Sequence, residues 1–269
     1  MDKLYLLKFG GNAIRGRDDM MRLSREVAEL IAGGCRVVLV HGGGSEISEE
    51  MERRGMTPVK VAGVRVTDAD SLEVAEAVLR RINSEVVACL QDCGVSAVGI
   101  PGYFCTVCTR KPPVTVDGEE VDLGLVGEPS GTDPSSILDL LDRGITPVVY
   151  PIGKDADGRM LNVNADTMAA GISAGTGCDE MITITDVPGI LLDVGDPSSK
   201  IDELPLSRVD ELIADGTISG GMIPKVEACR RALEAGAGAV RMVNGKDPRN
   251  IVSDIIRGVP HGTLIRRDR

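Results

Sequence analysis

The sequence predicts an α/β fold in which helices cover a parallel β-sheet. Three observations lead there. Residues 4–9 (LYLLKF) and 36–41 (RVVLVH) are apolar runs of strand length, of the kind a parallel sheet buries on both faces. Each run ends in glycines, Gly10-Gly11 and Gly42-Gly43-Gly44, as a tight strand-to-helix turn does. Each is then followed by apolar spacing of helical period, so strand–helix–strand–helix is complete by residue 55.

The remaining elements follow in order. Residues 19–33 place Met21, Leu23, Val27, Leu30 and Ile31 at helical spacing, closed by Gly33-Gly34. A helix over 45–55 is expected to take Ser45 as its N-cap, with acids in its first turn. Residues 57–67 read as an irregular arm. Thr67 and Asp70 have capping-box spacing, and Ala75, Val78, Leu79 and Ile82 form the apolar stripe of the next helix. A strand over 95–102 leads into 103–130, read as a hairpin-rich flap rather than core. Asp133-Pro134 supply an N-cap and a first-turn proline for a helix to Arg143, stopped by Gly144. A strand over 145–153 turns through DADG (155–158) into 161–170. Beyond Gly177 the pattern resumes with a strand over 180–192 and a polar surface stretch, 193–207. Short and long helices are expected at 208–215 and 220–236, the second with Met222, Val226, Cys229 and Leu233 on one face. Strands at 239–245 and 262–266 close the chain, with a helix at 248–257 between them.

Composition narrows the function. The 269 residues suffice for one large domain or two lobes. Aromatics are scarce and Trp is absent, so the core must be aliphatic. A net charge of −11 argues against a nucleic-acid backbone or an anionic membrane as partner. An anionic small molecule remains open, because local cations can oppose the global sign. The first apolar run is too short to span a membrane and lacks a cleavage-like site, so a cytoplasmic protein is expected. The seven cysteines then read mostly as buried thiols. Cys105 and Cys108 form one C-x-x-C without a second pair, and the only histidines are His41 and His261, so no protein metal site is expected.

Four stretches carry chemistry. In LNVNADTMAA (161–170), Asn162, Asn164 and Asp166 alternate with Val163 and Ala165, which puts three polar side chains on one side of an extended segment. Taken alone, the stretch reads first as an Asx-rich turn capping a helix. The two glycine turns let backbone N–H groups approach an anion, with a helix start behind each. Neither matches a P-loop or a dinucleotide fingerprint. Lys8 ends the first strand among Leu6, Leu7 and Phe9. It either snorkels to solvent or, if buried, needs an anionic partner. Lys225 follows Gly220-Gly221 and Pro224 in the first turn of a helix, where the dipole disfavours a cation. It is either solvated there or faces a phosphate. Asp166 is placed to orient both lysines. Cations around a transferring group with fixed donors are what phosphoryl transfer requires.

KFGGNA, VHGGG, GVRVTD, NVNAD, TDVPGIL and GGMIPKVEAC, in this order and over essentially the whole chain, resemble the amino-acid kinase family, specifically its N-acetylglutamate kinase branch. The resemblance implies an αβα sandwich with a central mainly parallel sheet in two lobes. Residues 1–176 would take the carboxylate substrate and 177–269 ATP. It implies that Lys8 stabilises the transferring phosphoryl group, that Lys225 sits on the ATP phosphates, and that Asp166 organises both lysines. It implies backbone donors at Gly11, Gly43 and Gly44. Arg65 would grip a substrate carboxylate bidentately, with Asn162 and Asn164 as further substrate contacts. Gly10, Gly11, Asp186, Gly220 and Met222 would lie on the nucleotide side. ATP is then the co-substrate, with Mg2+ held mainly by its phosphates. The reaction implied is phosphorylation of the side-chain carboxylate of N-acetyl-L-glutamate, a step of arginine biosynthesis.

The arginine-inhibited members of the branch have an N-terminal helical extension, whereas here the first strand begins near residue 1. A homodimer is therefore expected, without the hexamer built from that helix. Two alternatives stand beside this reading. One is a kinase for aminoadipate or glutamate linked to an acidic carrier protein, which the net charge of −11 disfavours. The other is a non-catalytic ATP or amino-acid sensor, which would be free to lose one of Lys8, Asp166 and Lys225.

Overall fold

The two apolar runs near the N-terminus become neighbouring strands at the centre of one sheet. The computed structural model describes residues 3–10, 13–14, 16–116, 118–246, 255 and 257–268. In chain order its elements are β1 (Leu4–Phe9), α1 (Gly16–Ala32), β2 (Arg36–His41), α2 (Gly44–Arg53), β3 (Lys60–Val61), β4 (Val64–Arg65), α3 (Ala69–Asp92) and β5 (Ala97–Pro101). Next come β6 (Thr106–Arg110), β7 (Val114–Val116), β8 (Glu119–Val121), β9 (Val126–Thr132), α4 (Ser135–Asp142), β10 (Thr146–Tyr150), β11 (Ile152–Lys154), β12 (Met160–Val163) and α5 (Ala165–Thr176). The last are β13 (Glu180–Thr185), β14 (Glu203–Pro205), α6 (Val209–Ala214), α7 (Met222–Ala235), β15 (Val240–Asn244) and β16 (Thr263–Arg266). The helix expected over 248–257 lies, apart from residues 255 and 257, outside the described residues, and so does Gly11.

Among the described residues an eight-stranded sheet runs β14-β16-β15-β13-β1-β2-β10-β5. Every neighbouring pair is parallel except β15–β16. Successive residues of a strand face opposite sides. Leu7 therefore joins a core with Leu23, Val27, Leu79 and Val86 of α1 and α3. Leu6 joins a second core with Met168 and Ile172 of α5 and Val226 and Leu233 of α7. Helices thus cover both faces, which makes the expected αβα sandwich. The sheet is continuous across residue 176, because β13 pairs with β1 in register from Tyr5↔Glu180 to Lys8↔Thr183.

Three local expectations need correction. The stretch 103–130 is not all flap. Its β6 and β9 close a four-stranded barrel with β11 and β12, and the β7–β8 hairpin lies outside it. Cys105 and Cys108 are buried there as small apolar residues. Burial raises both thiols, Cys108 to about 11, so neither is a ready thiolate. Ser45 does not cap α2. Its hydroxyl bonds Glu46, and the N-cap position is Gly43, with no side chain on the helix start. The cap of α3 is Asp68, which accepts from the Ser71 N–H, rather than Thr67, whose hydroxyl turns back to the Arg65 carbonyl.

Gly99 on β5 shows how tightly α3 seats on the sheet. A Cβ there would lie 1.7 Å from Oδ1 of Asn83, itself buried on α3. Gly99→Ala is expected to destabilise the protein by about 2 kcal/mol, the usual scale of overpacking. A urea midpoint equal to the parent's would show that α3 can slide.

Candidate active site

β1 and β2 are adjacent, parallel and equal in length, so both end at the same edge of the sheet. Their glycine turns therefore meet. A Cβ on Gly10 would stand 3.0 Å from the backbone nitrogen of Gly42, and the Gly42 N–H donates to the Phe9 carbonyl at 2.8 Å. Only glycines allow two turns to pass this closely. The crevice beyond the carboxyl ends of parallel strands is where α/β sheets place ligands.

Two cavities open at this edge. One, of about 300 Å³, is lined by Lys8, Gly43, Gly44, Arg65, Asn162 and Asn164, among others. The second, of about 580 Å³, is lined by Lys8, Thr183, Thr185, Asp186 and Lys225, among others. They share Lys8, Gly10, Gly63, Val64, Asn164 and Asp166 as a common wall.

On that wall Lys8 Nζ lies 2.7 Å from Asp166 Oδ1, with the lysine side chain largely buried. Lys8 thus needs its anionic partner and does not snorkel to solvent. Lys225 Nζ lies 2.6 Å from Asp186 Oδ1. The hydrogen bond from Lys225 holds the Asp186 carboxyl below its usual range. Asp166, expected to orient both lysines, pairs with Lys8, while Lys225 pairs with Asp186. Each lysine has its own carboxylate, because α7 sets Lys225 beside Asp186, just past the end of β13.

Asn164 caps a helix and also lines both cavities. Its side-chain oxygen accepts from the N–H groups of Asp166 (2.8 Å) and Thr167 (3.2 Å), capping α5. An oxygen used this way leaves the amide NH2 as a donor at the cavity wall. The polar alternation ends as a strand at Val163, yet all three polar residues reach the cavities. Asn162 donates to the Thr67 hydroxyl at 3.1 Å. In contrast to α5, α2 begins with N–H groups that no side chain caps, beside Gly43 and Gly44 of the smaller cavity. That is a ready anion site in backbone form.

Arg65 is buried, 7% exposed. Its guanidinium reaches the Gly44 carbonyl and the Ser48 hydroxyl, both at 2.8 Å, and Met51 Sδ at 3.2 Å. Among the described residues it meets no carboxylate, and burial lowers its affinity for the proton. A buried, unneutralised cation in a cavity wall is suited to an incoming carboxylate.

Two residues expected on the nucleotide side line neither of these cavities. Gly220 is exposed, in a left-handed turn before α7, and lines neither cavity. Met222 lines a separate apolar hollow of about 160 Å³ with Val187, Pro188 and Ile190. Conversely, Lys60, Lys111 and Arg231 line the cavities without having been singled out. So do Thr183 and Thr185, whose alternation with Ile182 and Ile184 in a buried strand was the same signal as in the asparagine stretch. Among the described residues no group of three His, Cys, Asp or Glu side chains could hold a metal ion, and no helix is long and apolar enough to cross a membrane.

The model of the amino acid kinase family matches residues 3–244, and the chain belongs to that family. Within it, the chain's relatives include acetylglutamate kinases. The one from Methanothrix thermoacetophila is 39% identical over 267 residues, covering 98% of this chain and 92% of the relative. The one from Methanosphaera stadtmanae is 38% identical over 273 residues, covering 98% and 92%. Among solved structures, N-acetylglutamate synthase from Neisseria gonorrhoeae, complexed with coenzyme A and L-arginine, superposes with a TM-score of 0.83 at 21% identity. That alignment covers 99% of this chain and 62% of the synthase, so the chain spans less than two thirds of that protein. Carbamate kinase from Giardia lamblia bound to AMP-PNP superposes with a TM-score of 0.73 at 18% identity, over 99% of both chains. Both superpositions speak for the fold.

Proposed function

We propose that the protein transfers the γ-phosphoryl group of ATP to the side-chain carboxylate of N-acetyl-L-glutamate, giving an acyl phosphate for arginine biosynthesis. One observation carries the reading: a cavity walled by a buried arginine and two asparagines and a cavity with a second lysine share the Lys8–Asp166 wall. Two ligands, one in each, would meet at Lys8. The full-length similarity to acetylglutamate kinases supports the choice of acceptor.

In this reading the acceptor occupies the smaller cavity. Arg65 grips its α-carboxylate, and Asn162 and Asn164 contact the rest. All the lining residues of that cavity lie within 1–176, the stretch assigned in this reading to the substrate. The nucleotide enters from the side of β13 and α7, with Lys225 on its phosphates and its base toward the hollow at Met222. Mg2+ comes as part of the nucleotide, held by phosphates and water. The side-chain carboxylate is ionised near neutral pH, so it attacks the γ-phosphorus without a general base. As the new carboxyl O–P bond forms, the bond to the β–γ bridging oxygen breaks and ADP leaves. Lys8 and the open N-terminus of α2 stabilise charge on the transferring group, and Lys225 stabilises charge on the leaving side. Asp166 holds Lys8 in place. A cytoplasmic homodimer completes the proposal.

The test is ATP-dependent hydroxamate formation with hydroxylamine as trap. Free N-acetyl-L-glutamate is expected to turn over strongly, and N-acetyl-L-aspartate, glutamate and aspartate poorly. ATP binding without turnover of any free acid would overturn the acceptor and point to a carrier-linked substrate.

A further inference from the structure

His41 is fully buried at the end of β2, and no step above uses it. Its Nε2 lies 3.1 Å from Nδ2 of Asn83, which also donates to the Val148 carbonyl at 2.9 Å. An amide nitrogen only donates, so Nε2 accepts. The ring proton is then on Nδ1, which lies 2.9 Å from the Gly42 carbonyl and donates to it. Burial keeps the ring neutral by pulling its pKa down to about 4. A flipped Asn83 amide would set its oxygen against the Val148 carbonyl, so the amide keeps this orientation. A directed chain results, from Asn83 through His41 to Gly42.

The Gly42 carbonyl and the Gly43 N–H belong to one planar trans peptide and point in opposite directions. A carbonyl drawn inward to His41 therefore turns the Gly43 N–H outward, to the cavity that Gly42, Gly43 and Gly44 line. Between two glycines, either orientation of that peptide is accessible to the backbone. A neighbouring group must select one. The same helix that carries Asn83 also packs on the turn, since a Cβ on Gly43 would stand 2.8 Å from Ile82 Cδ1 and 3.1 Å from Leu79 Cδ2.

We propose that His41, oriented by Asn83, is a positioning residue that holds the Gly42–Gly43 peptide with its N–H facing the transferring group. It preorganises a backbone donor without touching substrate, and this role rests on the proposed phosphoryl transfer.

Two experiments test it. In the parent protein, long-range 1H–15N correlation of the His41 ring should show a neutral Nδ1–H tautomer from pH 6 to 8. An Nε2–H tautomer or an imidazolium would overturn the proposal, whatever the reaction proves to be. In kinetics, His41→Phe keeps a buried ring but removes the donor. It is expected to lower kcat on the order of a hundredfold, as loss of one oriented donor does, with little change in KM for ATP. His41→Asn, whose amide reaches about where Nδ1 stood, should recover most of that loss. A folded His41→Phe variant with kcat within twofold of the parent, or no recovery in His41→Asn, would reduce His41 to packing. An inert parent enzyme would instead overturn the assigned reaction and leave the tautomer result standing.

Discussion

Replacing Lys8 by alanine is expected to lower kcat on the order of a hundredfold or more, with little change in KM for the carboxylate substrate. Lys8 is the cation on the wall common to both cavities. Its ammonium faces the place where a group passing from one ligand to the other must be. In transit that group has left one oxygen before it is fully bonded to the next, with its charge spread over three equatorial oxygens, so the lysine is expected to contribute more to the transition state than to either bound ground state. Its pairing with Asp166 at 2.7 Å fixes the ammonium before substrates arrive, so it need not be reoriented during the reaction. Stability should change little, because Asp166 is partly exposed and water can take over from the lysine. Steady-state kinetics decide the matter: a Lys8→Ala enzyme with near-parent kcat would remove Lys8 from the chemistry.

Arg65→Ala is expected to act on the other parameter, raising KM for the carboxylate substrate on the order of a hundredfold, as for truncating one partner of a buried charge pair. The guanidinium is buried and, among the described residues, uncompensated by any carboxylate. The substrate would bring the missing charge. The converse is a gain in stability. Arg65→Met, similar in reach but apolar, removes a desolvated cation and should leave the melting temperature equal to the parent's or higher. The Gly44 carbonyl would keep a partner, since the Ser48 hydroxyl also donates to it at 3.0 Å. An unchanged KM would place the carboxylate site elsewhere. A sharp fall in melting temperature for Arg65→Met would make Arg65 a structural residue.

The residues of this site were legible where chemistry conflicts with local preference. Lys8 stands in an apolar strand, Lys225 occupies a helix start that disfavours cations, and asparagines alternate with aliphatics. Such conflicts are visible without a structure, because the competing preferences are local. The parallel sheet was legible for the same reason. A buried strand, a glycine turn and an amphipathic helix each declare themselves within about ten residues.

Contacts between distant segments were not legible. Whether Asp166 or Asp186 takes Lys225 depends on how α7 lies against β13, 39 residues from carboxylate to lysine. The closure of β6 and β9 into a barrel depends on β11 and β12, and Cys105 and Cys108 become core only through that closure. His41 looked like one histidine at a strand end, until the sheet and α3 set Asn83 against it across 42 positions. Local sequence therefore specified which elements form and which side chains are chemically out of place. Packing between elements far apart in the chain specified which carboxylate, amide or carbonyl each of those side chains meets, since parallel strands and their covering helices are brought together by non-local burial.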